Sequence, residues 1–125
     1  MEGTLDTIER DGRFRVGIAA LSADDRATAQ RFVSRLEAST GARAEVVDAS
    51  LERLIGRLED GQIDLLIAEF RKDTPWAKSV AIAEPLATRT VGGHAIELAP
   101  AARNGENRWV ALVEREVRDG VGGGA

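Results

Sequence analysis

The run Arg71-Lys72-Asp73-Thr74 sets two cations, a carboxylate and a hydroxyl side by side, directly after the apolar stretch IDLLIAEF (63–70). Together with Ser22, Asp48 and Ser50, these residue types suit the capture of a small anionic or zwitterionic solute. A guanidinium or ammonium attracts a carboxylate, and hydroxyls orient it. Ser22 also opens a helix, whose free backbone N–H groups can hold an anion. Set against that reading, helix capping by itself accounts for both serines, and charges in loops are commonly just solvated. His94 is the sole histidine and there is no cysteine. Disulfides, thiolate metal sites and a cysteine nucleophile are excluded, and nothing around His94 has the spacing of a zinc site. The nucleophile turn G-x-S-x-G is absent, as are both phosphate-cradling glycine loops. No catalytic residue, metal or cofactor is therefore expected, and the chain is not read as an enzyme.

Aromatic residues are few: Phe14, Phe32, Phe70, Trp76 and Trp109, with no tyrosine. Trp109 lies on the apolar stripe of a helix and reads as core. Trp76 is open to three readings: a cover over the end of a sheet, an interface residue, or a ligand-stacking face. Asp64, just before an apolar strand, reads as an anchor for its loop.

With 125 residues the chain can bury one real core but not two ordinary ones. Its 17 basic and 21 acidic residues give a net charge of −4, and the arginines are scattered among acids. No nucleic-acid surface is expected. No apolar run approaches the roughly 20 residues of a membrane span, so no membrane insertion is expected. The opening MEGTLDTIERDG lacks the apolar segment of a secretion signal. As it stands the chain is expected to be cytoplasmic, and periplasmic if an export signal has been trimmed from it.

Apolar periodicity places these residues on elements. Leu5 and Ile8 mark a short leading helix stopped at Gly12, and RFRVGIAA (13–20) is a strand. In residues 22–41, Ser22 and Asp25 form a capping box, Ala29, Phe32, Val33 and Leu36 share a face, and Gly41 is the stop. ARAEVVDAS (42–50) is a more polar strand, expected near an edge. Ser50 caps a helix with Leu51, Leu54, Ile55 and Leu58 on one side, ended by Gly61. The strand at 63–70 is apolar throughout, as expected for a central strand covered on both faces. SVAIA (79–83) and PLATRTV (85–91) are extended, and HAIELAP (94–100) pairs back across a tight Gly92-Gly93 turn. A helix over 105–119, ended by Gly120, closes the chain. Residues 1–120 read as a single α/β domain and 121–125 as a flexible tail.

The order RFRVGI, LERLIGRLEDGQIDLLIAEF, AKSVAIAEPL, HAIELAP and a helix around RWVALVERE resembles the first lobe of type 2 periplasmic solute-binding proteins. The resemblance implies a three-layer domain with a five-stranded, mostly parallel sheet of order 2-1-3-5-4, strand 5 running against the others. It also implies that the second lobe, which follows the Glu84-Pro85 segment in such proteins, is replaced here by the Gly92-Gly93 turn. Amino-acid binders of that family carry an arginine that grips the ligand carboxylate, and Trp76 stands in its place.

Two functions follow as expectations. In the first, Ser22, Arg71, Lys72, Asp73 and Thr74 form half a cleft for a small solute, held weakly or shared with a partner subunit of a transport system. In the alternative, the lobe is an interaction or regulatory module without a ligand. Leu21, Phe70, Trp76 and Leu86 are expected at the edge bared by the missing lobe. There they would form an apolar patch where a second copy docks to give a homodimer, or where another protein docks.

Overall fold

Apolar runs alternating with capped amphipathic segments produce a βαβαβ unit behind a leading helix. In the computed structural model, which describes residues 3–19 and 21–123, α1 (Thr4–Asp11) precedes β1 (Arg13–Ile18), α2 (Ala23–Thr40), β2 (Arg43–Asp48), α3 (Leu51–Glu59) and β3 (Leu65–Arg71). Ala20, expected in the first strand, lies outside the described residues. Ser22 and Ser50 cap α2 and α3, their hydroxyl oxygens accepting from the amides of Asp25 and Arg53 at 3.2 and 3.4 Å. β1 pairs in parallel with both β2 and β3, which only a crossover connection such as a helix allows.

The two faces of the sheet carry separate clusters. Phe14, Val16 and Ile18 of β1 pack with the α2 stripe of Ala29, Phe32, Val33 and Leu36. On the opposite face Leu54, Ile55 and Leu58 of α3 meet Leu66, Ala68 and Phe70 of β3. β3 is thus covered on both sides, as its unbroken apolar pattern predicts, and each large side chain so buried contributes about 1.5–3 kcal/mol. Gly17 lies beneath α3. A Cβ there would sit 2.5 Å from Leu54 Cδ2 and 2.9 Å from Ile63 Cδ1, so no side chain fits between sheet and helix.

Past β3 the chain forms β4 (Val80–Ile82), β5 (Ala87–Val91), β6 (His94–Arg103) and α4 (Asn107–Gly123). The sheet has six strands, ordered β2-β1-β3-β6-β4 with β5 also paired to β6. β6 runs antiparallel to β3, β4 and β5. The expected order therefore holds, with one more strand than the five expected, because the extended segments 79–83 and 85–91 each give a strand paired to β6. Pro85 has no N–H to give to a ladder. The segment nevertheless stays along β6, through Ala83 N to Pro100 O at 2.9 Å and Leu86 N to Leu98 O at 2.7 Å. At the hairpin, Gly92 and Gly93 have φ of 56° and 79°, the doubly positive pattern of a type I′ turn.

The last helix does not stop at Gly120. A glycine inside a helix costs only about 1 kcal/mol relative to alanine, and Gly120 lies against the Arg35 guanidinium, within α4. Of the tail expected at 121–125, residues 121–123 continue that helix, while Gly124 and Ala125 lie outside the described residues.

Trp109 and Asp64 behave as their positions suggest. Trp109 is 1% exposed, meets Phe14 edge-on with ring centres 5.9 Å apart, and donates from Nε1 to the Asp64 carbonyl at 2.8 Å. The Asp64 carboxylate in turn accepts the Arg15 amide at 2.9 Å. α4 and the start of β3 are thereby fixed to β1.

Candidate functional site

The carboxyl ends of β1, β2 and β3 share one edge of the sheet. There β3 runs on into a turn of 3-10 helix, Pro75–Lys78. Thr74 shapes this turn: its amide donates to the Arg71 carbonyl at 2.9 Å, and its Oγ1 accepts the Trp76 amide at 3.3 Å. Proline suits the first position of such a turn, where no N–H is needed. The result is a cavity of about 340 Å³ between Leu51 at the start of α3, Glu69, Phe70 and Arg71 at the end of β3, and the turn from Asp73 to Trp76. Trp76 is half-buried against the α3 cluster. Arg71 reaches across to the hairpin, donating to His94 Nδ1 at 3.0 Å, and its Nε lies 3.5 Å from Asp73 Oδ1.

Beside this cleft a second polar group forms. Glu69 faces Leu98 across β6, while Arg89 of β5 faces Ile96, so the arginine reaches Glu69 diagonally. Its Nε donates to Glu69 Oε2 at 3.0 Å, and its Nη2 donates to the same oxygen. The Arg89 pKa is raised, chiefly by that hydrogen bond. Asp25, in the first turn of α2, joins Glu69 and Arg89 around a small cavity of about 130 Å³. Burial, and then the negative charge of Glu69, raise the Asp25 pKa.

Of the residues expected at the site, Arg71, Asp73 and Thr74 line the cleft together. Ser22 is exposed and engaged as a cap. Lys72 is exposed and outside the cleft wall, its amide donating to the Ala95 carbonyl at 3.1 Å. The four apolar edge residues divide between the faces. Leu21 and Leu86 pack against the α2 cluster, whereas Phe70, 3% exposed, and Trp76 belong with α3. Glu69 is missing from the expected set, although it is the one charge between Leu65 and Phe70 in an otherwise apolar run. The Asp25–Glu69–Arg89 group leaves no signal in sequence, because it depends on hairpin register. Among the described residues no group of three or more His, Cys, Asp or Glu could hold a metal ion, and no helix is long and apolar enough to cross a membrane.

No family model matches the chain, and no curated protein matches it. Its likeness to solved structures lies in the fold. The arginine-bound form of domain 1 from TmArgBP matches with a TM-score of 0.74 at 22% identity, over 91% of this chain and 98% of that one. An ancestral cyclohexadienyl dehydratase matches with a TM-score of 0.82 at 11% identity, over 99% and 93% of the two chains. An amino acid ABC transporter substrate-binding protein from Streptococcus pneumoniae, bound to L-arginine, matches with a TM-score of 0.74 at 9% identity, over 98% and 94%. The fold of this chain is that of a single lobe of the periplasmic solute-binding proteins.

Proposed function

We propose that this lobe is a solute-binding domain that takes a small zwitterionic or anionic solute in the cleft between α3 and the turn after β3. The cleft itself carries the reading. It lies beyond the carboxyl ends of parallel strands, where open α/β sheets bind ligands. Its wall also combines an indole face with charges of both signs, from Arg71, Asp73 and Glu69. That domain 1 of TmArgBP has been seen with arginine bound supports ligand capture by one lobe. Capture by this lobe alone is weak, because Trp76 offers no bidentate partner for a carboxylate and one side of the ligand stays in water. A second copy, or a subunit of a transport system, supplies the opposite wall, with Trp76 at the contact. Most of the fold neighbours are solute-binding proteins, among them an ancestral cationic amino acid solute-binding protein, and this favours binding, although one is an ancestral dehydratase.

Calorimetry against a panel of amino acids and small carboxylates tests this. Saturable binding with a Kd of about 1 mM, some −4 kcal/mol, is expected for at least one zwitterion. Binding should be lost when Arg71 and Asp73 are both replaced by alanine. Micromolar affinity for a standard amino acid would overturn the weak-capture reading, and a panel without any saturable binder would overturn solute capture altogether.

A further inference from the structure

We infer that the groove between α2 and α4 is a second ligand site, separate from the cleft at the end of β3, which takes a small organic carboxylate with a compact apolar body. The groove encloses about 460 Å³. Phe32 and Leu86 give it an apolar floor, and Arg31, Arg35, Glu116 and Gly120 form its walls. Arg31 and Arg35 are one helical turn apart on α2, so both guanidiniums serve the same face.

Three features point to an anion with an apolar body. First, Arg35 Nε is buried without a hydrogen-bond partner. A buried N–H left unpaired is costly, and a turn of the Arg35 side chain away from Gly120 and into the groove would let a ligand oxygen supply its acceptor. Second, charge is unbalanced. Glu116, 7% exposed, meets Arg35 Nη2 at a long 3.4 Å and is shared with Arg115 at 3.8 Å, so it offsets one guanidinium at most. Arg31 engages only the Thr28 hydroxyl, at 3.1 Å, a neutral acceptor. A monoanion offsets the positive charge left over. Third, the placing of the Arg35 guanidinium depends on a residue without a side chain. A Cβ on Gly120 would come within 3.1 Å of Arg35 Nε and 3.4 Å of its Cζ, crowding the guanidinium. Inorganic anions have no use for the Phe32 and Leu86 floor, whereas a short alkyl or aryl carboxylate covers it and removes apolar area from water.

Titrating the intact chain with sodium hexanoate, followed by amide NMR, tests the site. Saturable shifts are expected at the amides of Arg35, Leu86 and Gly120, and they should persist when Arg71 and Asp73 are both replaced by alanine. The uncharged hexanamide should bind at least about tenfold more weakly, as loss of a charge-assisted bond requires. Arg35→Gln and Gly120→Val should each weaken hexanoate binding about tenfold. Arg31 is exposed, so Arg31→Gln leaves the fold intact and should weaken binding in the same sense should either of the other variants misfold. The site is overturned if those amides show no saturable shift, if Arg31→Gln binds hexanoate as the parent does, or if inorganic phosphate competes equally.

Discussion

At the amino end of the parallel strands, polar side chains are tied to other elements, largely through the backbone, whereas at the carboxyl end they pair mostly with one another. Arg15 Nη2 donates to the Gly61 carbonyl at 2.9 Å, and Arg103 reaches both the Leu58 carbonyl and the Thr4 hydroxyl at 3.0 Å. Glu106 accepts the Thr4 amide at 2.9 Å, and Asp64 and Trp109 join β1, β3 and α4. At the other end Arg71 finds Asp73 and His94, Arg89 finds Glu69, and Arg26 finds Asp48 at 2.6 Å, in groups that are largely exposed. One end ties the elements together, and the other leaves paired charged groups largely exposed, where the proposed solute would meet them. Stability and binding should therefore be separable by mutation.

The largest effect is expected at Trp109. Trp109→Ala should cost about 3–5 kcal/mol, since it empties a core site and frees the Asp64 carbonyl; urea unfolding measures it, and a loss near zero would break the contrast. Asp64→Ala should cost about 1–3 kcal/mol, because the Arg15 amide loses its carboxylate partner. Gly17→Ala belongs to the same range, about 1–3 kcal/mol, through overpacking beneath α3. Arg71→Ala at the carboxyl end should change stability by no more than about 0.5 kcal/mol while weakening solute capture.

The smallest effect is a pH dependence at Asp25. Its pKa is raised above the ordinary 3.8, by burial first and by Glu69 second. Folding therefore disfavours the ionised carboxylate. The penalty is absent below the unfolded value, grows as pH rises through the raised folded value, and is complete above it. Asp25→Asn should stabilise the lobe relative to the parent at neutral pH, and the gain should vanish in acid below 3.8. Denaturation at the two pH values checks this, and a gain of equal size at both would contradict it.

Much of the scaffold was legible in the sequence because local signals agreed with one another. The apolar run of β3 announced a central strand, Ser22 and Ser50 announced helix starts, and Gly92-Gly93 announced the hairpin. Asp64 could be placed because it stands just before an apolar strand, and Trp109 because it lies on the apolar stripe of its helix. The site was harder to read. Ser22 and Arg71 lie at the same sheet edge, yet only Arg71 reaches the cleft. Phe70 and Leu86 likewise lie near one edge but pack on opposite faces. A strand alternates its faces with every residue, so nearness to an edge leaves the facing undecided. The pairing of Glu69 with Arg89 needed the register of three strands, and the continuation of α4 through Gly120 needed the packing of Arg35.

Solute capture at the carboxyl end is tested most directly by titrating the intact chain with a neutral zwitterion, L-glutamine, and following its backbone amides by NMR. Saturable shifts should gather at Leu51 and at residues 69–76, around the cleft, with a Kd of about 1 mM. Asp64 and Trp109, locked at the opposite end, should not move. Saturable shifts at Asp64 and Trp109 instead, or none at the cleft at any concentration, would contradict solute capture at that end.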